Sequence, residues 1–133
     1  MDARELADRV VQVALDRLGE DVVAIDLRGV SGLADFFVLV TANSTVHARA
    51  LAEGIADRTK ADGEPVHHIE GLEHGQWVLL DYIDVVVHIL LSEVRRFYGF
   101  ERLWGDAPQR GPAQHPADLP TDSSETPGSG SAI

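Results

Sequence analysis

The sequence lacks cysteine altogether, and it contains a single lysine and, within residues 1–104, a single proline. Without cysteine the chain can form no disulfide framework, no thiolate nucleophile and no cysteine-ligated zinc site. No apolar run approaches the length of a membrane span, and the first residues show neither the basic region nor the apolar core of a secretion signal. We therefore expect a soluble, cytoplasmic protein.

Positive charge is also scarce. Residues 1–104 carry 10 Lys and Arg against 18 Asp and Glu, a net charge of −8, and residues 105–133 add −3. Binding to a phosphate backbone depends on clustered Lys and Arg, so nucleic acid is not expected to be the primary ligand. The same negative field favours a basic protein as partner, because opposite charges raise the rate of encounter.

The composition divides the chain after residue 104. Residues 1–104 hold nearly all of the apolar periodicity, which is enough for one domain with its own core. Residues 105–133 hold five of the six prolines, together with Ser, Thr, Gly and Asp. We predict that this acidic tail is disordered, because it has too little apolar surface to offset its ordering entropy.

Eight elements are predicted within the domain. Helical spacing of apolar residues indicates helices over residues 2–18, 45–61 and 92–98. Apolar and β-branched runs indicate strands over residues 22–27, 36–41, 65–70, 77–80 and 85–90. This order predicts an α/β fold with a mixed five-stranded sheet flanked by helices. The last two strands are so apolar that we expect them in the middle of the sheet, whereas Pro65 places its strand at an edge.

Acidic residues mark three predicted strand ends. Asp35, Asp81 and Asp84 could together hold a divalent metal, as in nucleotidyl-transfer enzymes. The alternative is that aspartates in turns accept hydrogen bonds from nearby backbone amides. The sequence has no Walker or GxGxxG loop and no HExxH or His-x-His pattern. We therefore expect no cofactor and no bound metal. A metal-dependent nucleotidyltransferase that uses these three acids is the alternative hypothesis.

Aromatic and arginine side chains, the types that dominate binding hot spots, concentrate in one segment: Trp77, Tyr82, Tyr98 and Trp104, with Arg95, Arg96 and Arg102. Trp77 fits a core and an interface equally well, whereas Tyr82 lies in a predicted turn and is expected at an interface. Arg95 and Arg96 are compatible with a solvated helix face. His88 lies within an apolar strand, which indicates a hydrogen-bonded structural imidazole.

Several short motifs follow one another in order across about residues 2–106. They are Asp35-Phe36-Phe37-Val38, Ala42-Asn43-Ser44, Gly71-Leu72, Trp77-Val78-Leu79-Leu80-Asp81, Asp84-Val85-Val86-Val87-His88, and Phe97-Tyr98 with Glu101-Arg102-Leu103-Trp104. Together they resemble the ribosomal silencing factor family, also called Iojap-related. The resemblance implies a sheet related to nucleotidyltransferases without their catalytic motif, and therefore a protein that is not an enzyme.

The resemblance also implies a function. Such a protein binds the large ribosomal subunit through a protein on its subunit-joining face, blocks docking of the small subunit, and represses translation when nutrients are scarce. When free, it is expected to form a homodimer. Matched by position, the residues expected to meet the partner are Trp77, Asp81, Tyr82, Asp84, Val86, His88, Arg102, Leu103 and Trp104. Asp35, Asn43 and Ser44 are expected instead to organise the starts of a strand and a helix.

Two positions depart from the family pattern. Phe36 stands where the family usually has tyrosine, so a hydroxyl contact there is lost or unneeded. Tyr82-Ile83 occupies a turn that in the family often contains glycine, which leaves the geometry of this turn open.

Overall fold

The structure, a computed structural model, describes residues 1–98 except residues 31 and 33, with Tyr98 described by its backbone alone. These residues form helices α1 (Ala3–Asp16), α2 (Thr45–Ala61) and α3 (Ser92–Tyr98), and strands β1 (Glu20–Asp26), β2 (Phe36–Ala42), β3 (His68–Glu70), β4 (Trp77–Asp81) and β5 (Val85–Leu91). The predicted order of elements is confirmed. None of the three helices in these residues could span a membrane.

The five strands form one mixed sheet in the order β1-β2-β5-β4-β3. β2 and β5 pair in parallel at its centre, and the other neighbours pair in antiparallel fashion. All seven residues of β2 are buried, as expected for a strand covered on both faces. β3 lies at an edge, as Pro65 predicts, and is shorter than the predicted strand because its ladder begins only at His68.

Each face of the sheet has its own apolar cluster because side chains alternate along a strand. On one face, α1 and α2 pack on alternate residues of the three inner strands, among them Val38, Val40, Val78, Leu80, Val87 and Ile89. On the other face lie Phe37, Leu39, Trp77 and Leu90, with Val94 of α3 packed against them. The sheet thus fixes which side of β4 and β5 each functional candidate occupies.

Helix α1 begins and ends through local hydrogen bonds. Asp2 and Glu5 form a capping box at its start. It ends two residues before the predicted boundary, because Leu18 adopts a left-handed conformation (φ 66°) and donates its N–H to the carbonyl of Leu15 at 3.1 Å. Gly19 follows directly, and a Cβ there would lie only 2.7 Å from Cγ1 of Val40.

Arg95 ties α3 to the sheet. Its side chain is buried, and its guanidinium donates to the carbonyl of Asp21 at 2.8 Å and to Oγ1 of Thr41 at 2.9 Å. Burial of a charged group is tolerated only with such partners. The placement of Arg95 with Arg96 on a solvated face was therefore wrong for Arg95, whereas Arg96 is exposed.

Candidate functional site

The candidate site is the hairpin formed by β4 and β5. Its register pairs Trp77 with Leu90 and Asp81 with Val86. Because side chains alternate, Val78, Leu80 and Tyr82 belong to the cluster under α1 and α2. Trp77 and Asp81 therefore lie on the opposite face, as do their paired residues on β5.

The middle of the hairpin is an interior hydrogen-bonded pair. Trp77 donates its Nε1–H to Nδ1 of His88 at 3.0 Å, and both side chains are almost fully buried. The ring of Phe37 lies 4.8 Å from the imidazole, centroid to centroid. Since Nδ1 accepts a hydrogen bond, a neutral His88 carries its proton on Nε2. The interpretation of His88 as a structural imidazole is confirmed, and Trp77 is a core residue.

Tyr82 also points inward, although it lies beyond the end of β4. Its hydroxyl lies 2.7 Å from Oγ1 of Thr59 on α2, and its side chain is 9% exposed. Burial raises the pKa of the phenol, a shift that the hydrogen bond to Thr59 partly opposes. Tyr82 thus joins the hairpin to the helix layer.

The surface of the hairpin lies at its end. We call Asp81, Ile83, Asp84 and Val86 the hairpin tip: Ile83 and Asp84 are exposed, and Asp81 and Val86 are half-buried. A tight turn closes it, because the N–H of Asp84 donates to the carbonyl of Tyr82 at 2.9 Å. The carboxylate of Asp81 accepts the N–H of Ile83 at 2.7 Å. Within the described residues, neither acid of the tip is in an ion pair.

The hairpin tip is fastened to the start of β2. The carbonyl of Asp84 accepts the N–H groups of Asp35 and Phe36, at 2.8 and 3.1 Å. The carbonyl of Asp35 in turn accepts the N–H of Leu27, at 2.7 Å. The first two bonds join the tip to the start of β2, and the third joins Asp35 to the residue that follows β1.

An exposed ion pair neutralises the neighbouring end of β1. Arg28 donates Nε and Nη2 to the two carboxylate oxygens of Asp26, at 3.0 and 2.7 Å, and its guanidinium lies 5.1 Å from the centre of the Phe36 ring. The hydrogen bonds from Arg28 lower the pKa of Asp26 to about 2. At this end of the sheet, the two acids of the tip therefore supply negative charge that Arg28 does not neutralise.

Comparison with known proteins places the chain in a family. The family profile described as ribosomal silencing factor during starvation matches residues 1–131. The chain belongs to the ribosomal silencing factor family.

Individual proteins are also similar to this chain. The ribosomal silencing factor RsfS of Bacillus subtilis is 41% identical over 93 residues, which cover 70% of this chain and 79% of that protein. A crystal structure of a Chromobacterium violaceum protein superposes with a TM-score of 0.76 at 30% identity, covering 86% of this chain and 96% of that one. A mouse protein named mitochondrial assembly of ribosomal large subunit protein 1 is 27% identical over 100 residues, covering 73% of this chain and 44% of that protein.

In this member of the ribosomal silencing factor family, the predicted partner-contacting residues divide into three groups. Asp81, Asp84 and Val86 come together at the hairpin tip. Trp77, Tyr82 and His88 are buried, at 1%, 9% and 0% exposure, so their side chains lie in the core and not on the surface where a partner contact was expected. Arg102, Leu103 and Trp104 lie outside the described residues, as does the predicted tail, residues 105–133.

The three acids of the alternative hypothesis do not form a metal site. Asp35 and Asp84 are linked through their backbones, and the carboxylate of Asp81 is hydrogen-bonded to the amide of Ile83. Within the residues that the structure describes, no group of three or more His, Asp or Glu could hold a metal ion. Asp81 instead acts as a turn carboxylate that accepts a hydrogen bond from a nearby backbone amide.

Ser44 and Asn43, which were expected to organise the start of a helix, both form hydrogen bonds at the start of α2. Ser44 caps α2 by accepting the N–H of His47 at 3.0 Å, and the N–H of Asn43 donates to Nδ1 of His47 at 3.1 Å. Ile83 was not among the predicted contacts, but its side chain is 60% exposed at the hairpin tip. The sequence did contain an indication of this, because Ile83 is a β-branched residue in a turn where glycine is usual.

Proposed function

We propose that this protein represses translation without catalysis. It binds the large ribosomal subunit in the cytoplasm through a basic ribosomal protein on the subunit-joining face, and its bulk blocks the small subunit when nutrients are limiting. The observation that carries this proposal is the family match across residues 1–131, whose description names ribosome silencing during starvation.

The charge of the domain supports a protein target on the ribosome over an RNA target. A net charge of −8 on residues 1–104 is repelled by rRNA phosphates and attracted by a basic protein. Asp81 and Asp84 provide this charge at the hairpin tip. Binding should therefore weaken as salt is raised, because exposed charges more than about 8–10 Å apart are largely screened at physiological salt.

The name of the mouse relative supports the large subunit as the binding platform. That protein is named for assembly of the mitochondrial ribosomal large subunit. Steric exclusion needs no reactive group, only a stable body held in one orientation. The bonds from the Asp84 carbonyl to Asp35 and Phe36 supply such an orientation for the tip.

The proposal is tested by sedimentation of the purified full-length chain with separated large and small ribosomal subunits, followed by addition of the opposite subunit. We expect the chain to travel with large subunits alone and to reduce the fraction of joined ribosomes. Failure to travel with either subunit, or binding with undiminished joining, would refute the proposal. Sedimentation velocity of the free chain tests the expected homodimer separately, since a monomer mass would contradict that expectation alone.

A further inference from the structure

Ile83 has a backbone conformation that isoleucine disfavours. Its φ is 76°, in the left-handed region, and it is the central residue of the turn closed between Asp84 and Tyr82. A turn of three residues with this sign of φ is rare and strained. A β-branched side chain adds to the strain, because its two γ atoms crowd the neighbouring carbonyl groups.

Two other non-glycine residues have positive φ within the described part of the chain, and local structure accounts for both. Leu18 (φ 66°) occupies the position after a helix where a left-handed residue is normal. Asp21 (φ 46°) is of a type that tolerates this region and lies at the irregularity between Glu20 and Val23. Ile83 is therefore the β-branched exception.

Packing within the chain does not account for isoleucine at this position. The side chain is 60% exposed, and it belongs to neither apolar cluster of the core. Glycine would relieve the strain, and little buried contact would be lost. A residue that opposes both backbone preference and burial is a candidate for selection by something outside the fold.

The surroundings of Ile83 indicate what that contact is. The aliphatic side chain is flanked by the exposed Asp84 and the half-buried Asp81. The hydrogen bonds of the turn and of the Asp84 carbonyl hold all three in place. An apolar group in a rigid acidic frame complements an apolar hollow bordered by Lys or Arg, and little conformational entropy is lost on docking.

We infer that Ile83 is the anchor of the hairpin tip, which inserts into an apolar hollow with a basic border on the protein that the chain binds. This inference rests on the proposed function and identifies the partner surface by its chemistry. It assigns affinity to the side chain of Ile83 and charge recognition to Asp84. The strained turn is retained because the contact requires a side chain at this point.

The test compares Ile83→Gly with wild type in the full-length chain, using thermal unfolding and binding to isolated large ribosomal subunits. We expect Tm to rise by about 3 °C, since strain relief exceeds the added chain entropy of glycine. We expect the Kd to increase by ~10-fold or more, the effect of truncating a hot spot. Ile83→Val, which keeps a branched side chain, should retain most of the affinity.

Leu18→Gly is the matched control, because Leu18 is also exposed and left-handed but lies outside the hairpin. It should change Tm in the same direction and leave Kd unchanged. An Ile83→Gly variant that binds within about twofold of wild type, or that melts below it, would overturn the inference. Wild type that binds no large subunits would instead overturn the proposed function, and this inference with it.

Discussion

The middle and the tip of the β4–β5 hairpin are adjacent in sequence but differ in how their side chains are used. In the middle, Trp77 donates a hydrogen bond to His88, and both side chains are buried. At the tip, Ile83 and Asp84 are exposed, and the turn holds Ile83 in a disfavoured backbone conformation. The middle favours stability and the tip gives up some of it, so substitutions in the two regions should separate folding from binding.

The largest expected effect is loss of stability at the middle. Trp77→Ala should reduce the free energy of unfolding by about 3–5 kcal/mol, because it leaves a cavity and removes the donor to His88. Urea denaturation measures the loss. Trp77→Phe, which keeps most of the volume, should cost less and bind large subunits as wild type does. If Trp77→Phe is fully stable yet fails to bind, the division between middle and tip is wrong.

A charge change at the tip should have the converse effect. Asp84→Lys should leave the unfolding transition nearly unchanged, because the residue is exposed and its structural bonds come from the backbone. It should weaken binding to large subunits by ~10-fold, about 1.4 kcal/mol, through repulsion from a basic partner. Asp57→Lys, an equal change on the exposed surface of α2, is the control. Equal weakening by both variants would show that net charge acts without a specific tip contact.

Tyr82 lies between the two regions, and its substitution should have a smaller, pH-dependent effect. Tyr82→Phe should lower the free energy of unfolding by about 1 kcal/mol at neutral pH through loss of the bond to Thr59. Because burial raises the pKa of Tyr82 above 10.0, the folded state keeps this proton to higher pH than the unfolded chain does. The contribution of the phenol is complete below pH 10 and falls as pH rises above it. Urea titrations of both proteins from pH 8 to 11 should show the difference shrinking; a constant difference would contradict it.

The smallest effect is expected at Asp26, which lies at the same end of the sheet as the tip and is exposed. Hydrogen bonds from Arg28 lower its pKa from 3.8 to about 2. Any stabilisation by this pair is present above pH 3.8 and is lost as pH falls toward 2. Asp26→Asn should therefore shift Tm only slightly at pH 7, since solvent screens the pair. Carboxyl chemical shifts measured against pH check the pKa itself, and a midpoint near 3.8 would exclude the bidentate pair in solution.

The order of elements could be predicted from sequence because periodicity reports burial directly. β2, β4 and β5 are apolar on both faces, and they lie inside the sheet. The predicted ends of helices and strands were less accurate where the conformation of a single residue ends an element before the apolar pattern does. α1 ends early because Leu18 is left-handed, and β3 is short because its ladder starts after Pro65.

The site was predicted less well because exposure was inferred from position in a turn. Tyr82 follows Val78 and Leu80 at the spacing of one sheet face, so alternation already placed it under the helices. Arg95 was misplaced for another reason: its partners, Asp21 and Thr41, are far away in sequence. The φ of Ile83 depends on how the turn closes, and no residue pattern specifies that closure.

The parallel pairing of β2 with β5 has a consequence for synthesis. Phe36 pairs with Val85, and every strand partner on that side of β2 comes from residues 85–91. While the chain is being made, β2 therefore has an open hydrogen-bonding edge until nearly the last described residues have emerged. Such distant pairing delays folding, because the intervening chain must be closed first. The domain can therefore complete its sheet only after residues 85–91 have left the ribosome that makes it.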